Sequence, residues 1–180
     1  MHLASLADVI RMLSDAATGV ADRWMIVGAA ARDLILTEVH GIPERRKTAD
    51  LDVAIAVASW NELETMEANL AAAGAARNPR VAHEFFIGDW TVDTIPFSGV
   101  EKDGVIRWPA DEAIAMNVLG FEEAYDHALE VLLPDDVRVR VVAPAGLLIL
   151  KLIAWADRHW ESPRRRRRHS HVDRVLQHDP

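Results

Sequence analysis

The sequence predicts an α+β fold close to α/β: a small mixed or antiparallel sheet flanked by helices. Three observations predict it. Apolar runs of strand length alternate with stretches of helical period, and no internal repeat is present. Two pairs of strand-like runs are also joined by tight-turn residues, Gly88-Asp89 and Pro134-Asp135-Asp136. At 180 residues, half of them apolar, the chain can bury one core and is expected to form one globular unit.

Leu3, Leu6, Ile10 and Leu13 recur at helical spacing, so the first element reads as an amphipathic helix ending near Thr18-Gly19. Trp24 to Val27 is a short buried strand that Gly28 breaks, and Ala29 to Glu38 has helix-favouring alanines and leucines. After the loop HGIPERRK, Ala49 to Val57 is the next strand. Ser59 and Glu62 form a capping box, Leu63, Met66 and Leu70 line one face of the helix that follows, and Gly74 stands at its C-terminal cap. His83 to Ile87 and Trp90 to Phe97 form one hairpin; Val131 to Leu133 and Val137 to Val142 form another. Pro144 opens a helix through LLILKLIAWADRHW, which is apolar nearly all round and is therefore expected to be buried.

Composition removes several function classes. There is no cysteine, so disulfide scaffolds, thiol catalysis and thiolate zinc sites are excluded, and a metal would have to bind oxygen or imidazole. The eight histidines form no H-E-x-x-H, and GxSxG, Walker A and GxGxxG patterns are absent. No apolar stretch approaches the roughly 18 to 20 residues of a membrane span, and the first residues lack the pattern of a signal peptide. A cytoplasmic protein with no membrane partner is expected. The net charge is −8, yet residues 164–168 hold five of the 20 cations, leaving 15 against 28 acids elsewhere. Such acidity argues against a duplex-DNA binder that uses its whole surface.

Two carboxylates interrupt the second apolar run. In a strand, Asp50 and Asp52 leave the same face, about 6.6 Å apart at roughly 3.3 Å per residue. Paired acids suit a hard divalent cation with positions left for phosphate oxygens and water. The plainer reading has Asp50 end the loop and only Asp52 stand out. Upstream, the strand–Gly28–Ala29–helix sequence brings backbone N–H groups close to an anion, although a glycine after a strand is also ordinary turn chemistry. In WTVDTIPF, Asp93 supplies a third acid, either for the metal or as acceptor of a proton from an attacking hydroxyl; its alternative is an edge-strand aspartate facing water.

Gly28-Ala29, then Thr48-Ala49-Asp50-Leu51-Asp52-Val53, then Val92-Asp93-Thr94-Ile95-Pro96-Phe97 resembles the DNA polymerase beta-like nucleotidyltransferase superfamily. Within it the chain is similar to the AbiEii/AbiGii-type toxin nucleotidyltransferases and their bacterial relatives, and the segment Leu147 to Arg158, with Lys151, Ala154-Trp155 and Arg158, is similar to that group's helix. The resemblance spans Trp24 to Arg158. It implies a nucleotidyltransferase fold over residues 1–142, followed in 143–180 by a C-terminal helix and basic tail, a shortened helical subdomain. It further implies that Asp50 and Asp52 ligate magnesium (or manganese), that Asp93 is the third metal-site and catalytic carboxylate, and that Gly28-Ala29 lies against the nucleotide phosphates. Two positions depart from the pattern. Many relatives have Gly-Ser or Gly-Gly at the turn, and the Lys-Asp-x-x-Asp that commonly follows the arginine is replaced by a tail in which Asp173 is the candidate for the last acid.

Lys151 is the only charged residue between Arg140 and Asp157. It either faces the cleft with Arg158 to neutralise triphosphate or snorkels to solvent. Arg32 either contacts phosphate or pairs with a neighbouring acid. Arg45, Arg46 and Lys47 read as a solvated cluster or as a nucleotide or RNA contact. The arginine run 164–168 reads as a solvated tail or an RNA contact, and His169 and His171 are too isolated to be ligands. Trp90, Trp108, Trp155 and Trp160 are expected in the core or as cleft walls.

The expected activity is magnesium-dependent transfer of an NMP from an NTP, such as ATP, to an acceptor hydroxyl, in RNA or a tRNA by the toxin resemblance, with a cognate antitoxin protein as partner. The alternative is a catalytically silent nucleotide- or protein-binding module of the same fold.

Overall fold

The computed structural model describes residues 3–42, 49–109 and 111–160. Helix α1 (Leu3–Ala17) leads to β1 (Trp24–Val27) and α2 (Gly28–Leu34), which runs on through a wider π turn over Ile35–Val39. Strand β2 (Asp50–Val57) follows, then α3 (Trp60–Ala72), β3 (Ala76–Arg77), β4 (Glu84–Ile87) and β5 (Trp90–Ser98). A small hairpin, β6 (Val105–Trp108) with β7 (Asp111–Asn117), precedes α4 (Phe121–Asp126), the hairpin β8 (Leu129–Leu133) and β9 (Val137–Val141), and α5 (Pro144–Trp160).

Among the described residues seven strands form one sheet in the order β3-β4-β5-β2-β1-β9-β8. The β2–β5 and β1–β9 pairs are parallel and the other four are antiparallel, so the sheet is mixed, as the alternation of elements predicts. The predicted turns hold: Gly88, at φ +57°, closes the β4–β5 hairpin, a left-handed conformation that costs glycine little.

Strand alternation divides the sheet into two faces. Leu51, Val53 and Ile55 are fully buried with Val92 on one face. Thr94 belongs to the same set, and its hydroxyl lies 2.8 Å from Glu67 Oε1 of α3, so α3 covers this side. Arg77 Nη2 donates to Glu67 Oε2 at 2.7 Å and so closes the charge of that buried acid. Helix α1 packs beside α3 and buries Leu6, Ile10 and Leu13 completely, as their spacing predicts. Ser59 Oγ accepts from Glu62 N, while Glu62 Oε2 reaches back to accept from Ala58 N, one residue earlier than in the predicted capping box.

The other face of β2 and β5 carries Asp50, Asp52 and Asp93. Farther along it Phe97 meets Phe121 and Tyr125 of α4 at ring separations of 6.0 and 6.3 Å. Helix α5 packs on α2, α4 and β7. It departs from expectation: Leu148, Ile149, Leu152 and Trp155 are 53–60% exposed, so the helix is buried along one side only. An apolar run without a clear polar stripe shows no face by composition, and only the neighbours decide which side is covered.

Candidate functional site

Register brings the carboxylates together. Asp52 is the partner of Asp93 across the parallel β2–β5 pair, and Asp50 is the partner of Thr91 two residues earlier. Partners in a sheet direct their side chains to the same face, so the pair that i, i+2 spacing predicts on β2 gains its third member from β5. Asp50 is exposed, whereas Asp52 and Asp93 are half-buried.

Gly28 seals one side of this group. Val27 is the register partner of Asp52 on the opposite edge of β2, and Gly28 follows it at φ +68°. A β-carbon on residue 28 would stand 1.9 Å from Asp52 Oδ2, so only glycine permits both the turn and the approach. Val27 is the N-cap of α2, and its apolar side chain makes no hydrogen bond to the backbone N–H groups of the first turn.

The electrostatics follow from this crowding. Burial foremost, and then the charge of Asp50, raise the Asp52 pKa, while Lys151 on α5 holds it down. Burial also pushes the Asp93 carboxyl up to about 6, with Asp52, then Glu84, then Asp50 adding to the shift. Glu84 is the partner of Asp93 on the other side, across the antiparallel β4–β5 pair. It is a fourth acid at the site and accepts a hydrogen bond from Asn78 Nδ2. Sequence reasoning missed it, and the only available signal was an acid opening a strand-like run beside the turn Gly88-Asp89.

Arg32 pairs with its neighbouring acid: its Nε and Nη2 lie 2.7 and 2.6 Å from Asp33 Oδ1. Asp33 is buried, and among the described residues its Oδ2 has no hydrogen-bond partner. Lys151 is exposed, and its charge influences Asp52. Of the tryptophans, Trp90 and Trp108 are buried and Trp155 is half exposed. Arg45, Arg46 and Lys47, the arginine run, His169, His171 and Asp173 lie outside the described residues, as does the side chain of Arg158.

Among the described residues no three His, Cys, Asp or Glu side chains converge as a finished metal cage. The donor set nonetheless fits a hard divalent cation. All donors are carboxylate oxygens on one sheet face, and burial with mutual repulsion disfavours the charged forms of Asp52 and Asp93, which a cation would relieve.

The family model for the nucleotidyl transferase AbiEii toxin of type IV toxin–antitoxin systems matches residues 11–171. Among solved structures, the chain is similar to the solution structure of the antibiotic-resistance factor ANT(2'')-Ia, with 18% identity and a TM-score of 0.50 over 88% of this chain and 75% of that one. A crystal structure of ANT(2'')-Ia with adenylyl-2''-tobramycin also matches, at 18% identity and a TM-score of 0.47 over 89% and 83%. The first likeness supports the fold. No curated protein matches the chain.

Proposed function

The chain belongs to the AbiEii nucleotidyl transferase toxin family, and from that premise we propose that it moves an NMP from a nucleoside triphosphate to an acceptor hydroxyl with the help of a divalent cation. One observation carries the reading: Asp52 and Asp93 stand in register on adjacent strands with Gly28 pressed against Asp52.

In this reading Asp50, Asp52 and Asp93 hold magnesium, or manganese in its place. A bound cation of this kind polarises phosphoryl oxygens and lowers the pKa of a coordinated hydroxyl. The chain's own groups do the remaining work. Backbone N–H groups after Gly28, at Ala29 and beyond, orient the triphosphate, and Lys151 offsets its charge. Arg32, held by Asp33, stands one turn further along the same helix. As the acceptor oxygen bonds to the α-phosphorus and the bridging oxygen departs in pyrophosphate, Asp93 takes the acceptor's proton. Asp93 is a carboxylate on the reacting face, the type of group that serves as a general base for a hydroxyl.

The acceptor is proposed to be RNA, in the first instance a tRNA end, and the protein partner a cognate antitoxin. Both rest on the toxin family alone. The test is transfer of label from each NTP, with magnesium, to total cellular RNA, run beside Asp52→Asn. Label and pyrophosphate from the native protein alone would establish the activity. Equal label from both proteins would remove Asp52 from the site, and magnesium-dependent NTP binding without transfer to any acceptor would favour a silent binding module.

A further inference from the structure

Helix α5 exposes a strip that the core does not explain. At 3.6 residues per turn, Lys151, Trp155, Leu148 and Leu152 fall within about 100° of arc. Trp155 is 53% exposed, Leu148 60% and Leu152 55%. The opposite side of the helix, with Leu147 and Leu150, packs on the core, and Leu150 and Ile153 approach Gly120 before α4.

The position of this strip gives it a use. Helix α5 packs on α2, and α2 begins at Gly28, in contact range of Asp52. Lys151 lies at one edge of the strip, and its charge reaches Asp52. Trp155 is one turn further along, about 6 Å at a rise of 1.5 Å per residue. A cation followed one turn later by an indole matches a nucleotide in order of chemistry: anionic phosphates, then an aromatic base set off by the ribose.

We infer that Trp155, with Leu152 one turn before it, is the platform on which the nucleobase of the incoming triphosphate stacks, while Lys151 meets the phosphates. The inference rests on the nucleotidyltransferase reading above and adds the base subsite to it. Stacking on an aromatic ring tolerates every base, so the platform supplies affinity more than base choice.

The test is calorimetric titration of the full chain, with magnesium, by ATP, GTP, CTP, UTP and inorganic tripolyphosphate. Trp155→Ala is expected to weaken binding of the accepted nucleotides by roughly tenfold or more while tripolyphosphate binds as before. Trp155→Phe should keep most of the affinity, and Lys151→Ala should weaken both ligand types. Trp155→Leu preserves apolar bulk without the stacking surface; it should behave like Trp155→Ala and serves if that variant folds poorly. Unchanged nucleotide affinity in Trp155→Ala or Trp155→Leu overturns the inference alone. If the same variant instead changes the sedimentation coefficient, the strip is a polypeptide interface. Native protein that binds neither nucleotide nor tripolyphosphate overturns the nucleotidyltransferase site and the base platform together.

Discussion

The carboxylate of Asp52 occupies the space that a side chain on residue 28 would need: a β-carbon there would lie 1.9 Å from Asp52 Oδ2 and 2.8 Å from its Cγ. Gly28→Ala therefore meets a steric conflict as well as a left-handed backbone, and should cost about 2 to 4 kcal/mol in urea denaturation. Removing the carboxylate in the same chain, as Gly28→Ala with Asp52→Gly, should recover at least about 1 kcal/mol relative to the sum of the single changes. Transfer activity would remain absent. Simple additivity would mean that the Asp52 side chain moves aside without cost, and the close approach would then not explain the glycine.

Asp93 gives the folded protein a distinctive pH dependence. Its pKa is raised from 3.8 to about 6, so across that window the folded chain binds this proton more tightly than the unfolded chain does. Stability from this group therefore falls as pH rises from about 4 to 6, the reverse of an ordinary ion-paired aspartate. Asp93→Asn should be more stable than the native protein at pH 7.5, by about 1 to 2 kcal/mol after allowance for solvent screening, and the gain should vanish near pH 4. Thermal melts at the two pH values decide it. Magnesium should raise the native melting temperature more at pH 7.5 than at pH 5, and Asp93→Asn should lose most of that response.

Part of this candidate site could be read in the sequence because two of its features are local. The i, i+2 parity of Asp50 and Asp52 needs only a strand, and Gly28 marks its own turn. What a linear reading does not contain is register. That Asp93 faces Asp52, and that Glu84 faces Asp93 from the other side, depends on how three strands align. The β6–β7 hairpin and α4 carry weak signals: β7 opens on two acids, and six residues are too few to show a helical period. For Arg32, pairing with a neighbouring acid was one of two legible alternatives, and the buried carboxylate of Asp33 supplies that partner.

On the opposite sheet face, Glu67 is a buried acid that belongs to the fold. Arg77 Nη2 holds its Oε2 at 2.7 Å, and the Thr94 hydroxyl lies 2.8 Å from its Oε1. The Arg77 guanidinium also lies 4.7 Å above the Phe85 ring. Arg77→Met keeps the apolar stem but leaves the carboxylate without its cation. The loss should be about 2 kcal/mol, below the 3 to 5 of a fully buried pair because the Arg77 side chain is 43% exposed. Glu67→Gln in the same background should recover part of it, since a neutral amide does not require the cation. Both are read by denaturant melts, and an Arg77→Met melt matching the native protein would show that the brace contributes nothing.

The two sides of α5 should respond unequally to polar substitution. Leu152 is 55% exposed, so Leu152→Gln should change stability by no more than about 0.5 kcal/mol. Leu150 packs partly against the core and lies 3.6 Å from where a β-carbon on Gly120 would stand. Leu150→Gln brings a polar amide into that contact and should cost about 1 to 3 kcal/mol. Urea denaturation at several protein concentrations separates the possibilities. A large, concentration-independent loss in Leu152→Gln would mean that this side of the helix is covered within one chain. A loss that appears only at high concentration would mean that a second chain covers it.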